Sequence, residues 1–211
     1  MKETNASSSD GEAHEIYSWE DVTKWAVNAM PRTVPQRNGK LVIADFDNTL
    51  FFTDKCNALA SKELFGKAMS LKEIRALPRA DKSRVYALSF SKYAHLCIPN
   101  AKLIRALRAE NTARIIILTA KSRESEPTVL RLLRKYNVRY DRLILRPKRE
   151  LSKSDEGWKL EKIRSLSKGF ETVELYEDKK DNIAYILNGI RRHGVSAFLV
   201  RPGSITRSDG Y

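Results

Sequence analysis

The sequence predicts an α/β fold: a Rossmann-like parallel sheet of about five strands flanked by helices, with a small helical cap inserted after the first strand. Three observations predict it. Short apolar runs of the buried-strand kind recur along the chain: LVIAD (41–45), RIIILTA (114–120), DRLILR (141–146), TVELYED (172–178) and SAFLV (196–200). Between them lie stretches of helical spacing, and strands alternating with helices argue for a parallel sheet. Polar residues follow several of the apolar runs, at the carboxyl ends where such sheets bind ligands.

The elements follow in order. MKETNASSSDGEAHE opens a tail, residues 1–16, with no apolar core segment; it reads as disordered and not as a secretory signal. Residues 17–211 then read as one domain. YSWEDVTKWAVNAM (17–30) places Trp19, Val22, Trp25 and Ala26 at helical spacing, with Ser18 as N-cap. PRTVPQRNGK is a loop, and LVIAD is the first strand. Residues 54–98, including SLKEIRAL and SRVYALSFSKYAHL, read as a charged helical insertion outside the sheet. NAKLIRALRAE (100–110) is a helix before the second strand, and PTVLRLLRKY (127–136) is one with Pro127 near its start. DEGWKLEKIRSL (155–166) is a helix whose Trp158, Ile163 and Leu166 mark one face. DNIAYILNGIRRHG (181–194) is a helix with Gly194 as its terminating glycine, and SAFLV is the last strand.

Composition sets the outer limits. At 211 residues with 42% hydrophobic content, the chain suits one sizeable domain, or one domain with an insertion. Lys plus Arg number 39 against 26 Asp plus Glu, a formal net charge of +13. That surplus favours a polyanionic partner such as nucleic acid, and it equally suits a charged, solvated surface. Cys56 and Cys97 form no CxxC pair, and His14, His95 and His193 are widely spaced, which argues against a structural zinc site and a disulfide framework. Both cysteines and Trp158 read as core. No apolar run approaches the ~20 residues that span a bilayer, so no membrane partner is expected and the cytoplasm is the default address. The oligomeric state is not encoded in any pattern here.

The chemistry gathers at the strand ends. The first strand runs into Asp45, with Asp47, Asn48 and Thr49 following; the second ends at Thr119, Ala120 and Lys121; the fourth ends at Glu177-Asp178, with Asp181 beyond. Between the third and fourth strands Lys159 sits in the first turn of a helix, with Lys148 and Lys153 in the basic loop before it. Two carboxylates two positions apart at the end of a buried strand are expensive unless something pairs with them. The bland reading is a surface turn.

In this order these residues resemble the four motifs of the haloacid dehalogenase-like superfamily. DxDx[TV] is matched by Asp45-Phe46-Asp47-Asn48-Thr49, the Thr after an apolar strand by Thr119, the Lys by Lys159, with Lys148 and Lys153 as the alternatives, and the acidic pair by Glu177-Asp178, with Asp181 in support. The resemblance covers roughly residues 40–200, and Asn48 stands where Gly is frequent. It implies a phosphomonoester hydrolase in which Asp45 attacks phosphorus and Asp47 serves as acid, then base. It implies Mg²⁺ held by Asp45, the Asp47 backbone carbonyl and Asp178. Thr119 and Lys159 would steady the phosphoryl group, and Asn48, Thr49, Ala120 and Lys121 would line its site. A narrower likeness, to the domains of this type in RNA-repair-like proteins and polynucleotide phosphatases, makes nucleic-acid ends the leading substrate. A small phosphorylated metabolite is the second, and a nucleic-acid-binding or regulatory protein of the same fold with little catalysis is the third. A GxxxxGK[ST] kinase loop is absent from the sequence.

Overall fold

The structure, a computed structural model, describes residues 39–190 and 194–208. The expected helix at 17–30, the tail before it, and His14 and His193 lie outside the described residues. Strand β1 (Lys40–Ala44) is followed by a short β2 (Phe51–Phe52). Three helices come next: α1 (Asp54–Phe65), α2 (Leu71–Ala76) and α3 (Arg79–Lys92). A short β3 (Ile98–Pro99) then leads to α4 (Ala101–Ala109). The alternation continues through β4 (Arg114–Ser122), α5 (Glu126–Lys135), β5 (Arg142–Arg146) and α6 (Asp155–Leu166). It ends with β6 (Thr172–Glu177), α7 (Lys180–Gly189), β7 (Val195–Arg201) and β8 (Ser204–Ser208).

The main sheet has the order β5-β4-β1-β6-β7-β8. Every pairing from β5 to β7 is parallel, and β7 with β8 is antiparallel. SAFLV is therefore not the last strand. The chain turns at Pro202-Gly203, where Gly203 has φ +81, and comes back as an edge strand that the polar sequence SITRS gave little reason to expect. Chain order runs from β1 outward to β4 and β5, then across to β6 and β7 on the other side. The switch point thus lies at the carboxyl end of β1.

Both faces of the sheet are covered. Val42, Ala44, Ile115 and Ile117 pack against Leu103, Ile104 and Leu107 of α4 and Val129, Leu132 and Leu133 of α5. Leu41, Ile43, Ile116 and Leu118 pack against Trp158, Leu160 and Ile163 of α6 and Ile183 and Ile186 of α7. A strand buried on both faces has no polar positions to alternate, which is why β1 reads as a continuous apolar run.

The insertion is not wholly helical. Its three helices bury Ala60, Ile74 and Val85 in a small core of their own. Its ends are tied by β2 and β3, which pair antiparallel as Phe51 with Pro99 and Phe52 with Ile98. Two-residue strands carry no period, so sequence patterning missed them. Cys56 and Cys97 are buried near these ends, both free, with Sγ atoms 2.9 Å apart. No helix among the described residues is long and apolar enough to cross a membrane.

Gly194 does not terminate the expected long helix, since α7 stops at Gly189. It sits at φ +84 just before β7, and a Cβ there would lie 2.3 Å from the carbonyl oxygen of Glu171. Its own carbonyl accepts the Val173 N–H at 2.8 Å, joining β7 to β6. Gly194→Ala should therefore cost about 1–3 kcal/mol or more in urea unfolding, since left-handed strain and a backbone clash add; an unchanged midpoint would contradict this geometry.

Candidate active site

The site is built on the loop after β1. Asp45 is buried, and its N–H donates to the Tyr176 carbonyl at 3.0 Å, one residue before Glu177. The chain then folds back tightly: Leu50 and Phe51 donate to the Phe46 carbonyl at 3.1 and 3.0 Å, and Asn48 donates to Phe51 at 2.7 Å. This turn needs a left-handed residue, and Asn48 supplies it at φ 56. Asparagine tolerates that region, which is why it can replace the more frequent glycine. Its side-chain oxygen accepts from the Thr53 N–H and hydroxyl, both at 3.0 Å, so Asn48 holds the loop against the start of α1. Thr49 is fully buried; its carbonyl accepts from the Asn100 amide at 3.0 Å, and its hydroxyl has no hydrogen-bond partner among the described residues.

At the centre, Lys159 is buried with its ammonium 2.9 Å from Asp45 Oδ1 and 2.6 Å from Glu177 Oε2. Of the three lysines considered, this is the one the fold brings to Asp45. Lys148 lies exposed in a short turn and Lys153 pairs with Glu161 at 2.6 Å. Glu177 is fully buried beside Asp178. Its other oxygen accepts from the Lys179 N–H and the Asn182 amide, each at 3.2 Å. Asp178 is buried as well, with Arg75 of α2 3.3 Å from its Oδ2 and Arg201 donating to its carbonyl at 2.5 Å.

Burial dominates the electrostatics. It raises the Asp45 carboxyl well above its ordinary range, with Lys159 opposing the rise. Burial together with the neighbouring Glu177 carboxylate pushes Asp178 up to about 7. Burial alone would lower Lys159, but Asp45 and Glu177 outweigh it and raise its pKa. Glu177 is lowered, because Lys159 more than offsets burial. Three close carboxylates with one deeply buried lysine leave excess negative charge. Their oxygens lie within 4.8 Å of one another, an all-oxygen donor set suited to a hard cation.

Around this centre, Asp47 is half-exposed and its Oδ1 lies 3.2 Å from Lys121 Nζ, which also sits 3.8 Å above the Phe90 ring. The register of β4 slips between Thr119 and Ser122, a bulge of the kind that re-aims side chains. Thr119 is buried in it, with its hydroxyl accepting the Lys121 N–H at 3.3 Å; Ala120 is half-buried. Asp181 is exposed and does not join the cluster; the residue that does is Asn182. Lys179 is the N-cap of α7, which makes Asn182 the third helical residue. From that position a side chain reaches back over the cap, a signal the sequence offered. Arg75 offered none, being 103 residues from its partner. Nor did Arg146, a buried guanidinium paired with Asp155 at 2.5 Å and lying over the Trp158 ring.

The fold and this centre define a class: an α/β protein with a buried carboxylate–lysine cluster at the switch point of a parallel sheet. The fold is the haloacid dehalogenase-like one, and the resemblance read from the four motifs stands at that level. No family model and no curated protein matches the chain. Among solved structures, a protein assigned as a phosphoglycolate phosphatase from Lactobacillus plantarum is similar at TM-score 0.56 and 11% identity, over 77% of this chain and 86% of that one. A haloacid dehalogenase-like family hydrolase from Streptococcus pneumoniae is similar at 0.52 and 12%, over 77% and 84%. The Pnkp1/Rnl/Hen1 complex is similar at 0.48 and 20%, over 77% of this chain; the chain spans 46% of that one's length.

Removing the buried cation would leave two carboxylates without their partner. Lys159→Met should cost about 3–5 kcal/mol in urea unfolding. A loss below 1 kcal/mol would show that the cluster is not held together in this way.

Proposed function

We propose that this chain is a Mg²⁺-dependent phosphomonoester hydrolase that works through an aspartyl-phosphate, an acyl phosphate, on Asp45. The observation that carries the reading is the buried Asp45–Lys159–Glu177 cluster beside Asp178, with Asp47 two residues beyond the nucleophile. Glu177 is committed to Lys159, Lys179 and Asn182, so Asp45 and Asp178 are the side chains that would hold the metal, together with the Asp47 carbonyl that the family resemblance adds. When bound, Mg²⁺ supplies positive charge for the phosphoryl oxygens.

The remaining work belongs to the chain. Lys159 holds Asp45 aligned and opposes the burial that favours its protonated form. An Asp45 oxygen bonds to phosphorus as the ester P–O bond breaks, and Asp47 gives the leaving oxygen its proton. In the second step Asp47 takes a proton from water as that water bonds to phosphorus. The bond to Asp45 then breaks, returning the carboxylate and releasing inorganic phosphate. Thr119 is set to hydrogen-bond the phosphoryl group. Lys121, 3.2 Å from Asp47, is placed to hold that carboxylate at the mouth. Among substrates, nucleic-acid ends are the reading carried forward, on the net charge of +13; a small phosphorylated metabolite is the other. A cytoplasmic address accompanies this reading, in keeping with a sequence that carries only two cysteines and no CxxC pair.

Asp45→Asn should lower p-nitrophenyl phosphate turnover by about 10³-fold or more while the far-ultraviolet circular dichroism stays unchanged. Turnover near the wild-type rate would remove Asp45 as nucleophile. Excess EDTA should silence the enzyme and Mg²⁺ restore it, with Ca²⁺ a poor substitute because it prefers more ligands at longer distance. Asp178→Ala should shift the Mg²⁺ titration of activity to higher concentration; full activity in EDTA would refute the metal requirement.

A further inference from the structure

A groove of about 160 Å³ lies between α4 and α5, lined by Pro99, Ala101, Ile104, Arg105, Arg108 and Tyr136. Its chemistry is specific. Lys102, Arg105 and Arg108 follow one another at three-residue spacing along α4, all exposed, which puts them on one helix face. Lys102 and Arg105 have no acidic partner among the described residues. Across residues 101–139 ten Lys or Arg stand against three acidic residues, so the segment that carries the groove is strongly basic. Arg108 is fixed in place, donating to the carbonyls of Tyr136 and, at 2.8 Å, Asn137. Tyr136 is half-buried, its ring backed by Phe51 at 5.5 Å and flanked by the Lys135 ammonium at 5.3 Å. Ile98, next to Pro99 in β3, is 55% exposed.

The groove is fastened to the loop that carries Asp45. Asn100, between Pro99 and Ala101, donates its side-chain amide to the Thr49 carbonyl at 3.0 Å and its N–H to the Leu50 carbonyl at 2.8 Å. Phe51, which backs Tyr136, is six residues beyond Asp45, at most about 21 Å of chain. A row of cations beside an aromatic ring and an exposed apolar side chain is the combination that takes a phosphate backbone together with its bases.

We infer that this groove binds a single-stranded nucleic acid, with Lys102, Arg105, Arg108 and Lys135 on the backbone phosphates and Tyr136 and Ile98 against the bases, next to the end whose terminal phosphate enters at Asp45. The entry at Asp45 rests on the proposed phosphatase reading; the strand-binding surface does not. At about 3.4 Å per stacked nucleotide, a strand of about six nucleotides covers the distance.

The experiment separates the two. Binding of a fluorescein-labelled, 3′-phosphorylated ten-nucleotide oligouridylate to the full chain is followed by anisotropy in EDTA, where no turnover enters. Turnover of p-nitrophenyl phosphate by the same protein with Mg²⁺ is measured separately and tests the phosphatase reading alone. Log affinity should fall against log salt with a slope of about 3, from four contacts at about 0.7 each, which is about fifty-fold between 50 and 200 mM. The Lys102→Glu/Arg105→Glu double variant should lose at least about 1.4 of that slope and more than tenfold in affinity, with the Gln pair in between. Circular dichroism melting of each variant establishes that it is folded. Affinity should rise with oligonucleotide length to about six nucleotides and then level. A slope near zero, a folded double variant that binds like wild type, or displacement of the oligonucleotide by poly-glutamate of equal charge as effectively as by unlabelled oligonucleotide would overturn the proposal.

Discussion

The buried Lys159 ammonium is the constraint around which the rest of the chain is arranged. An ammonium out of water is tolerable only with close anionic partners, and Asp45 and Glu177 supply them from two adjacent strands. The partners in turn need support. Glu177 obtains it from the first turn of α7, through the Lys179 N–H and the Asn182 side chain. Asp45 is fixed by its N–H to the neighbouring strand. Strands β1 and β6, helices α6 and α7, and the loop between β6 and α7 must therefore be in register at once for the charges to meet.

Packing beside the lysine provides that register. Trp158, Leu160 and Ile163 dock α6 on the sheet and fix where the next side chain emerges. The indole of Trp158 donates to Glu150 at 2.5 Å, so even the largest core side chain keeps its polar atom paired. Arg146 lies over the same ring and pairs with Asp155, whose other oxygen is 3.4 Å from Lys179. A second chain of charges thus runs from the end of β5 through the start of α6 to the residue after Asp178. It orients the same two helix starts from the outer side.

Much of this could be read in the sequence because the physics is local. A parallel strand buried on both faces has to be apolar throughout, so β1 and the centre of β4 announced themselves, while β6 alternates buried Val173 and Leu175 with half-buried Glu174 and Tyr176; the polar residues at the strand ends marked the site. Helix α6 was legible to the residue, from Asp155 to Leu166; the structure adds its cap, Ser154, whose hydroxyl accepts the Gly157 N–H. What escaped was non-local or too short to repeat. Strands β2 and β3 have two residues each, β8 is a polar edge strand that exists because of the turn before it, and Gly194 serves a strand junction and not a helix end. Arg75, Arg201 and Arg146 reach the cluster or its surroundings by tertiary placement that no spacing rule encodes. Asp181 carries the charge but stands exposed, while the uncharged Asn182, one residue on, is turned by α7 onto Glu177.

The paired ends of the helical insertion have a consequence for how this protein can change over generations. Phe51 and Phe52 enter it and Ile98 and Pro99 leave it as hydrogen-bonded neighbours, with Asn100 anchored back on Thr49 and Leu50. The gap to be bridged is thus set by the main domain and not by what fills it. The entropy of closing such a segment grows only with the logarithm of its length. The three helices also carry their own small core of Ala60, Ile74 and Val85. The segment can therefore be lengthened, shortened or exchanged at little cost to the sheet beneath, so what covers the carboxylates is open to evolution while the carboxylates themselves stay fixed.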